Sequence, residues 1–125
     1  MMLGKREEIP KESREEKKMR NITEGELKNI LHKHKRWLLE YEDGVKADLR
    51  GANLSGLNLA KVDLSGADLR GADLSRSNMF MAELVRTDLR GADLTGANLS
   101  YADLTFAKIE GAEMTDVDLE CTEMD

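Results

Sequence analysis

The stretch Ala-Asp-Leu-Arg-Gly-Ala-Asn-Leu-Ser-Gly at 47–56 is nearly repeated as Ala-Asp-Leu-Arg-Gly-Ala-Asp-Leu-Ser-Arg at 67–76. Inside each stretch the pattern also repeats every five residues, and this shorter period continues to residue 125. We call the leucine position of each pentapeptide its centre. All 16 centres are apolar, and 12 of them are leucine. The centres are Leu49, Leu54, Leu59, Leu64, Leu69, Leu74, Met79, Leu84, Leu89, Leu94, Leu99, Leu104, Ile109, Met114, Leu119 and Met124.

The residues around each centre predict which side of the chain is buried. Two positions before the centre the residue is alanine in ten of the 16 repeats, and one position before it the residues are eight Asp, four Asn, three Glu and one Lys. A helix of about 3.6 residues per turn cannot keep step with this period, whereas short extended runs joined by corners can. Alternation along each run places the centre and the alanine inside and the polar residue outside. The glycines predicted at corners are Gly51, Gly56, Gly66, Gly71, Gly91, Gly96 and Gly111.

A second period of 20 residues indicates stacked turns of chain. Arg50, Arg70 and Arg90 recur at this spacing, each within Asp-Leu-Arg-Gly, and Asn58 and Asn78 recur in the same way. Self-similarity at a fixed period is typical of solenoids, in which each repeat buries its apolar side against its neighbours.

From Ala47 to Asp125 the sequence resembles the pentapeptide-repeat family, whose motif is A(D/N)LXX. The resemblance implies an all-β solenoid: a right-handed quadrilateral β-helix with four pentapeptides per coil and about four coils, preceded by one α-helix. The segment containing Leu31, His34, Trp37 and Leu38 also resembles the helix that precedes such repeats in many uncharacterised members.

Three segments are predicted along the chain: a charged flexible arm at 1–22, an N-terminal capping helix at 23–44, and the repeat β-helix at 45–125. The arm is dense in charge and nearly free of apolar residues. Thr23 and Glu26 have the spacing of a capping box, and the apolar periodicity extends the helix from about 24 to 42. Gly44 fits a C-terminal stop.

The cap residues Leu31, His34, Trp37 and Leu38 are predicted to cover the first coil. If the Trp37 ring is buried there, its removal costs about 3 kcal/mol.

Composition excludes several classes of protein. No apolar run approaches the roughly 18 residues of a membrane helix, and the first residues lack the apolar stretch of a secretory signal, so we expect a cytoplasmic protein with no membrane contact. A single cysteine excludes an internal disulfide framework. No motif indicates a cofactor, a metal site or a catalytic group, and a convex rod offers no pocket to tune a carboxylate pKa, so an enzyme is not expected.

Two sets of outward residues are candidate interaction sites. The charged stripe Arg50, Arg70 and Arg90 stands beside an aspartate column; it is either a self-neutralised surface or a basic stripe for an acidic ligand. The second set is apolar in positions that are otherwise polar, which favours a contact surface. Its members are Phe80, Met81, Val85, Tyr101 and Phe106.

The function predicted from these features is a non-enzymatic protein–protein interaction module whose partner is unknown. A homodimer through the apolar patch or through the C-terminal coil, whose centres no helix covers, is left open. The alternative comes from the resemblance: some pentapeptide-repeat proteins mimic DNA and modulate DNA gyrase. The net charge of −7 over 45–125, from 8 basic and 15 acidic residues, favours it. The acidic repeat argues against nucleic acid as a partner.

Overall fold

The repeat is held together by backbone bridges between residues 20 apart. The structure, a computed structural model, describes residues 19–124. Its strands are single-residue parallel bridges that form four columns on four faces: 48–68–88–108 on face 1, 53–73–93–113 on face 2, 58–78–98–118 on face 3 and 63–83–103–123 on face 4. A further bridge joins Arg20 to Ala52. The chain therefore winds as a right-handed β-helix-type solenoid, as the sequence predicts.

Each of the 12 centres from Leu49 to Leu104 donates its backbone N–H to the next turn of chain. Leu49 donates to the Asp68 carbonyl at 2.8 Å, and the Asp68 N–H returns to the Ala47 carbonyl at 3.1 Å. The same pair of bonds recurs along the columns, as between Leu89 and the Lys108 carbonyl at 2.7 Å. These bonds satisfy backbone groups that burial would otherwise leave unpaired.

The interior is a ladder of leucine and alanine. Most centres from Leu49 to Leu99 are fully buried, and the alanines two positions earlier lie beside them. Thr87 and Ser77 replace alanine inside the solenoid, and their hydroxyls donate to the Leu64 and Leu74 carbonyls, each at 2.8 Å. The last four centres are less buried: Ile109 and Met114 are half-buried, and Leu119 and Met124 are exposed.

The predicted glycine corners are confirmed: all seven have a φ between 64° and 76°. Only glycine adopts this left-handed region without a steric cost. On face 1 every corner is glycine, and at Gly71 a Cβ would meet open space, so only the backbone conformation selects glycine there.

The only helix in residues 19–124, α1, spans Glu24–Leu38 and lies over the first turn of the solenoid. The predicted capping box is confirmed, because Thr23 Oγ1 accepts from the Glu26 N–H and Glu26 Oε1 accepts from the Thr23 N–H. The partly buried residues Ile22, Leu27, Ile30 and Leu31 pack against the core. No helix within residues 19–124 has the length and apolar character needed to cross a membrane.

The predicted end of the helix is wrong by four residues. Glu40, with a φ of 65°, takes the left-handed position, and the Glu40 and Tyr41 N–H groups donate to the Trp37 and Arg36 carbonyls. This is a Schellman ending with glutamate in the usual place of glycine. Gly44 has a different role: a Cβ there would collide with the Trp37 backbone, because the loop turns back onto the helix.

The predicted arm is also too long at its C-terminal side. The Arg20 N–H donates to the Gly51 carbonyl, and the Arg20 guanidinium donates to the Asp48 and Arg50 carbonyls. Arg20 thus belongs to the cap of the first turn, since it pairs carbonyls that have no earlier turn to bond. Residues 1–18, the rest of the predicted arm, lie outside the described residues.

His34 joins α1 to both ends of the first turn of chain. Its side chain is fully buried; Nδ1 accepts from the Ala47 N–H and Nε2 donates to the Ser65 carbonyl, each at 2.9 Å. Only a neutral ring with its proton on Nε2 can make both bonds. Burial lowers the pKa of His34, and the Ser65 bond and the Asp63 charge oppose this only in part.

Trp37 contributes less burial than the sequence predicts. Its indole stacks on His34, with ring centroids 5.2 Å apart, and its far edge covers Gly66, but the residue remains 38% exposed. Leu38 is half-buried beside it. The cost of about 3 kcal/mol expected for a buried ring is therefore too high for Trp37→Ala, because the cavity opens to water.

Gly71→Ala should lower the free energy of unfolding by about 1 kcal/mol, because the left-handed conformation is sterically unfavourable for alanine and not for glycine. Gly25→Ala is the control: Gly25 lies in α1, where alanine is the better helix former and a Cβ has open space. Chemical denaturation of both variants checks the difference. Equal stability of Gly71→Ala and wild type would contradict the corner assignment.

Acid should weaken the attachment of α1 before it affects the rest of the fold. Because the folded-state pKa of His34 is lowered, the unfolded chain binds more protons, so stability falls as pH drops below about 6.5. His34→Gln should remove this slope between about pH 7 and 5. His32→Gln is the control for replacing a histidine of α1, since His32 is exposed. Denaturation midpoints at several pH values measure both.

Candidate functional site: the outward surface of the repeat

The predicted charged stripe on face 1 is a ladder of ion pairs. Each arginine contacts the aspartate two residues before it, with guanidinium-to-carboxylate distances of 2.8, 2.6 and 2.6 Å. Arg50 and Arg70 also lie 3.7 Å from the aspartate one turn further on. The residues of this ladder are Asp48, Arg50, Asp68, Arg70, Asp88 and Arg90. The stripe thus already carries its own counter-charges.

The arginines hold the aspartates ionised. Hydrogen bonds from Arg50 and Arg90 lower the pKa of Asp48 and of Asp88 to about 2. The pKa of Asp68 is lowered by Arg70 for the same reason. We do not expect face 1 to bind an external anion strongly, because its guanidiniums already form bidentate bonds with the aspartates.

The five apolar residues predicted as a patch fall into two groups around face 4. At one corner Phe80 meets Tyr101 edge to face, with ring centroids 5.7 Å apart, and Met81 lies one turn from Tyr101 in the same column. At the other corner Arg86 lies over the Phe106 ring, 5.0 Å from its centroid. Val85 is half-buried on face 4. Met81, Tyr101 and Phe106 are 45%, 51% and 55% exposed.

The corners after face 3 contain no glycine. We call this set the third corner column; its members are Lys61, Met81, Tyr101 and Cys121. Their φ values lie between 54° and 64°, in the region that side chains normally avoid. Each such residue costs on the order of 1 kcal/mol relative to glycine. Face 1 uses glycine at every corner, so the fold does not itself demand these side chains.

Sequence reasoning missed why the position before each centre is Asp or Asn. All 12 of these residues accept a hydrogen bond through Oδ1 from the backbone N–H two residues later, as Asp103 does from Thr105 at 3.0 Å. These are Asx turns, which short side chains favour. Glu83, Glu113 and Glu123 occupy the same position, and within residues 19–124 neither Glu83 nor Glu113 makes such a bond.

Face 4 and the third corner column enclose a shallow open groove. Its volume is about 430 Å³. On one side it is lined by Met81, Tyr101 and Cys121, and on the other by Glu83, Asp103 and Glu123. The Cys121 thiol is free and exposed, and its interaction with Tyr101 raises the pKa of the phenol.

The described residues offer little else for chemistry. Among residues 19–124 no group of three or more His, Cys, Asp or Glu side chains is placed to hold a metal ion. His32 and His34 point apart, and His34 is committed to backbone bonds. What the outward surface presents is a paired charged face and an unpaired apolar and acidic groove.

Comparisons with known proteins agree with this architecture. The family model described as pentapeptide repeats matches residues 45–79 and 82–120, in eight copies. The chain belongs to the pentapeptide-repeat family. Proteins of this family are generally structural or interaction modules. No curated protein matches the chain.

Three solved structures illustrate the similarity. Rfr23 from the cyanobacterium Cyanothece 51142 is 32% identical over 64% of this chain and 58% of its own, with a TM-score of 0.38. HetL from Nostoc sp. strain PCC 7120, involved in heterocyst differentiation regulation, is 35% identical over 58% of this chain and 43% of its own, with a TM-score of 0.33. QnrB1, a plasmid-mediated fluoroquinolone resistance protein, is 23% identical over 66% and 48%, with a TM-score of 0.37. The chain spans less than two thirds of each.

Arg90→Gln should return the pKa of Asp88 from about 2 toward the ordinary value of about 4, because the chief cause of the shift is the Arg90 hydrogen bond. NMR titration of the side-chain carboxyl carbons measures this directly. Asp93 is the internal control: its pKa is lowered mainly by Thr95 and should not move. An unchanged Asp88 in the variant would contradict the pairing on face 1.

Proposed function

We propose that the chain is a non-enzymatic protein-interaction module that binds a protein partner through the apolar residues around face 4. The rod that carries them is proposed to have a quadrilateral section and about four coils. The patch consists of Phe80, Met81, Val85, Tyr101 and Phe106. Partner identity, and whether a second copy of the chain can be that partner, are left to experiment.

The observation that carries this proposal is the third corner column. Met81 and Tyr101 are large, half-exposed and held at a φ of 58° and 63°. Residues held in sparsely populated backbone conformations cluster at functional sites, where the function of the side chain outweighs the energetic cost of the strain. Exposed apolar side chains gathered at one place on a polar surface favour a contact with another protein.

The second candidate function is a DNA-mimicking modulator of a DNA-binding enzyme such as DNA gyrase. The acidic columns of faces 2 and 4 favour it, because they hold seven of the 15 acidic residues of 45–125. The ion pairs of face 1 oppose it, since they neutralise one of the four faces. Gyrase supercoiling that is unaltered at micromolar protein would exclude this candidate.

Crosslinking from the patch tests the first candidate. Cys121 is the single cysteine of the chain and lies in the third corner column, so a thiol-linked photocrosslinker can be placed there alone. In an extract of the source cells the wild-type chain should form one dominant adduct. Changing all five patch residues to serine should abolish the adduct, with circular dichroism showing that the fold persists.

Two controls make the result specific. Met81→Ser with Tyr101→Ser removes only half-exposed side chains and should already abolish the adduct without loss of fold. Moving the cysteine to the exposed Thr115 on face 2, as Cys121→Ser with Thr115→Cys, should give no adduct. An adduct that survives in the five-serine variant would refute the proposed function.

A further inference from the structure

The groove between the third corner column and face 4 is apolar on one side and acidic on the other. We infer that it binds a cationic amphipathic helix of a protein partner. The apolar stripe of that helix lies on Met81 and Tyr101, and its lysine or arginine side chains face Glu83, Asp103 and Glu123. This inference rests on the proposed function and adds the chemistry of the partner.

The apolar side of the groove is pre-organised. Phe80, which lies on the outer surface of face 3, packs edge to face against Tyr101, so the phenol ring is supported on that side, while the residue remains 51% exposed. Met81 continues the same strip one turn earlier. Rigid aromatic side chains lose little conformational entropy on binding, and tyrosine is enriched among the residues that dominate interface energies.

The acidic side of the groove differs from the acids of face 1. In the repeat, the ion pairs among the described residues all lie on face 1. Glu83 also lacks, among residues 19–124, the Asx-turn bond that Asp103 makes with Thr105. Carboxylates that have no ion-pair partner among residues 19–124 and lie beside an apolar strip are complementary to a partner that carries cations beside an apolar stripe.

The spacing of the turns favours a helix over a strand. Stacked strands lie about 4.8 Å apart, so three successive turns of the solenoid span roughly 9.6 Å. Two turns of an α-helix rise about 10.8 Å, which keeps side chains in step with Met81, Tyr101 and Cys121. An extended strand repeats one face about every 6.6 Å and loses register after one step. A helix lying along the rod is also a common mode of groove binding.

A synthetic helix is the probe. A fluorescein-labelled peptide of about 20 residues, made of leucine, alanine and lysine with its leucines on one stripe, is long enough to fold in a groove. Fluorescence anisotropy should show saturable binding to the full chain that weakens as salt rises. A matched peptide with glutamate in place of lysine should not bind.

Two double variants distinguish binding at the groove from general attraction to the net negative charge of the protein. Glu83→Gln with Glu123→Gln should weaken binding of the cationic peptide about fivefold. Glu110→Gln with Glu113→Gln removes the same two charges from faces 1 and 2 and should leave affinity unchanged. Met81→Ser with Tyr101→Ser should weaken binding about tenfold or more.

Each remaining outcome overturns the inference. Equal binding by both glutamine variants would mean general attraction to an acidic rod, and equal binding of the glutamate peptide would mean that charge has no role. If neither peptide binds and Met81→Ser with Tyr101→Ser halves the solution mass of the protein, a second copy occupies the groove. If the cationic peptide does not bind but Cys121 still forms an adduct that the five-serine variant loses, only the cationic helix is refuted. An adduct that persists in the five-serine variant refutes the proposed function itself.

Discussion

The whole structure depends on one constraint: each centre from Leu49 to Leu104 bonds to a residue 19 positions further along the chain. This bond fixes the length of each turn at 20 residues. A turn of that length is divided into four short sides, with a corner after each. Once the corners are set, every centre points inward, and leucine with alanine fills the interior. Because the bridges satisfy most of the backbone within the rod, outward side chains other than the Asp and Asn residues of the Asx turns can vary without breaking the solenoid.

That freedom makes departures from the simplest pattern informative. Face 1 shows what the outward surface looks like when it serves only stability: glycine corners and arginines paired with aspartates. The third corner column bears side chains in place of glycine, and Glu83 beside it lacks the Asx-turn bond. Met81 and Tyr101 of this column are also half-exposed, and the proposed function gives a reason for keeping such side chains there.

The sequence predicts the repeat far better than it predicts the cap. The period of five, the inward centres and the glycine corners follow from local pattern, because every turn has the same neighbours. The start of α1 also follows, since the capping box is local. The end of the helix, the buried bridge made by His34 and the pairing of Arg20 depend on contacts with residues far along the chain, which no local pattern contains. The patch residues stand out in the sequence as exceptions, whereas the missing turn bond of Glu83 appears only in the structure.

The most direct test of the account is a scan with a photoreactive amino acid placed at one outward position on each side of the third turn. Arg90, Thr95, Tyr101 and Phe106 provide these positions, and adducts are collected in the source cells. We predict a protein adduct at Tyr101, a weaker adduct at Phe106, and none at Arg90 or Thr95. Adducts spread evenly over the four positions, or concentrated at Arg90, would contradict the division of the rod into a self-paired face and a binding edge.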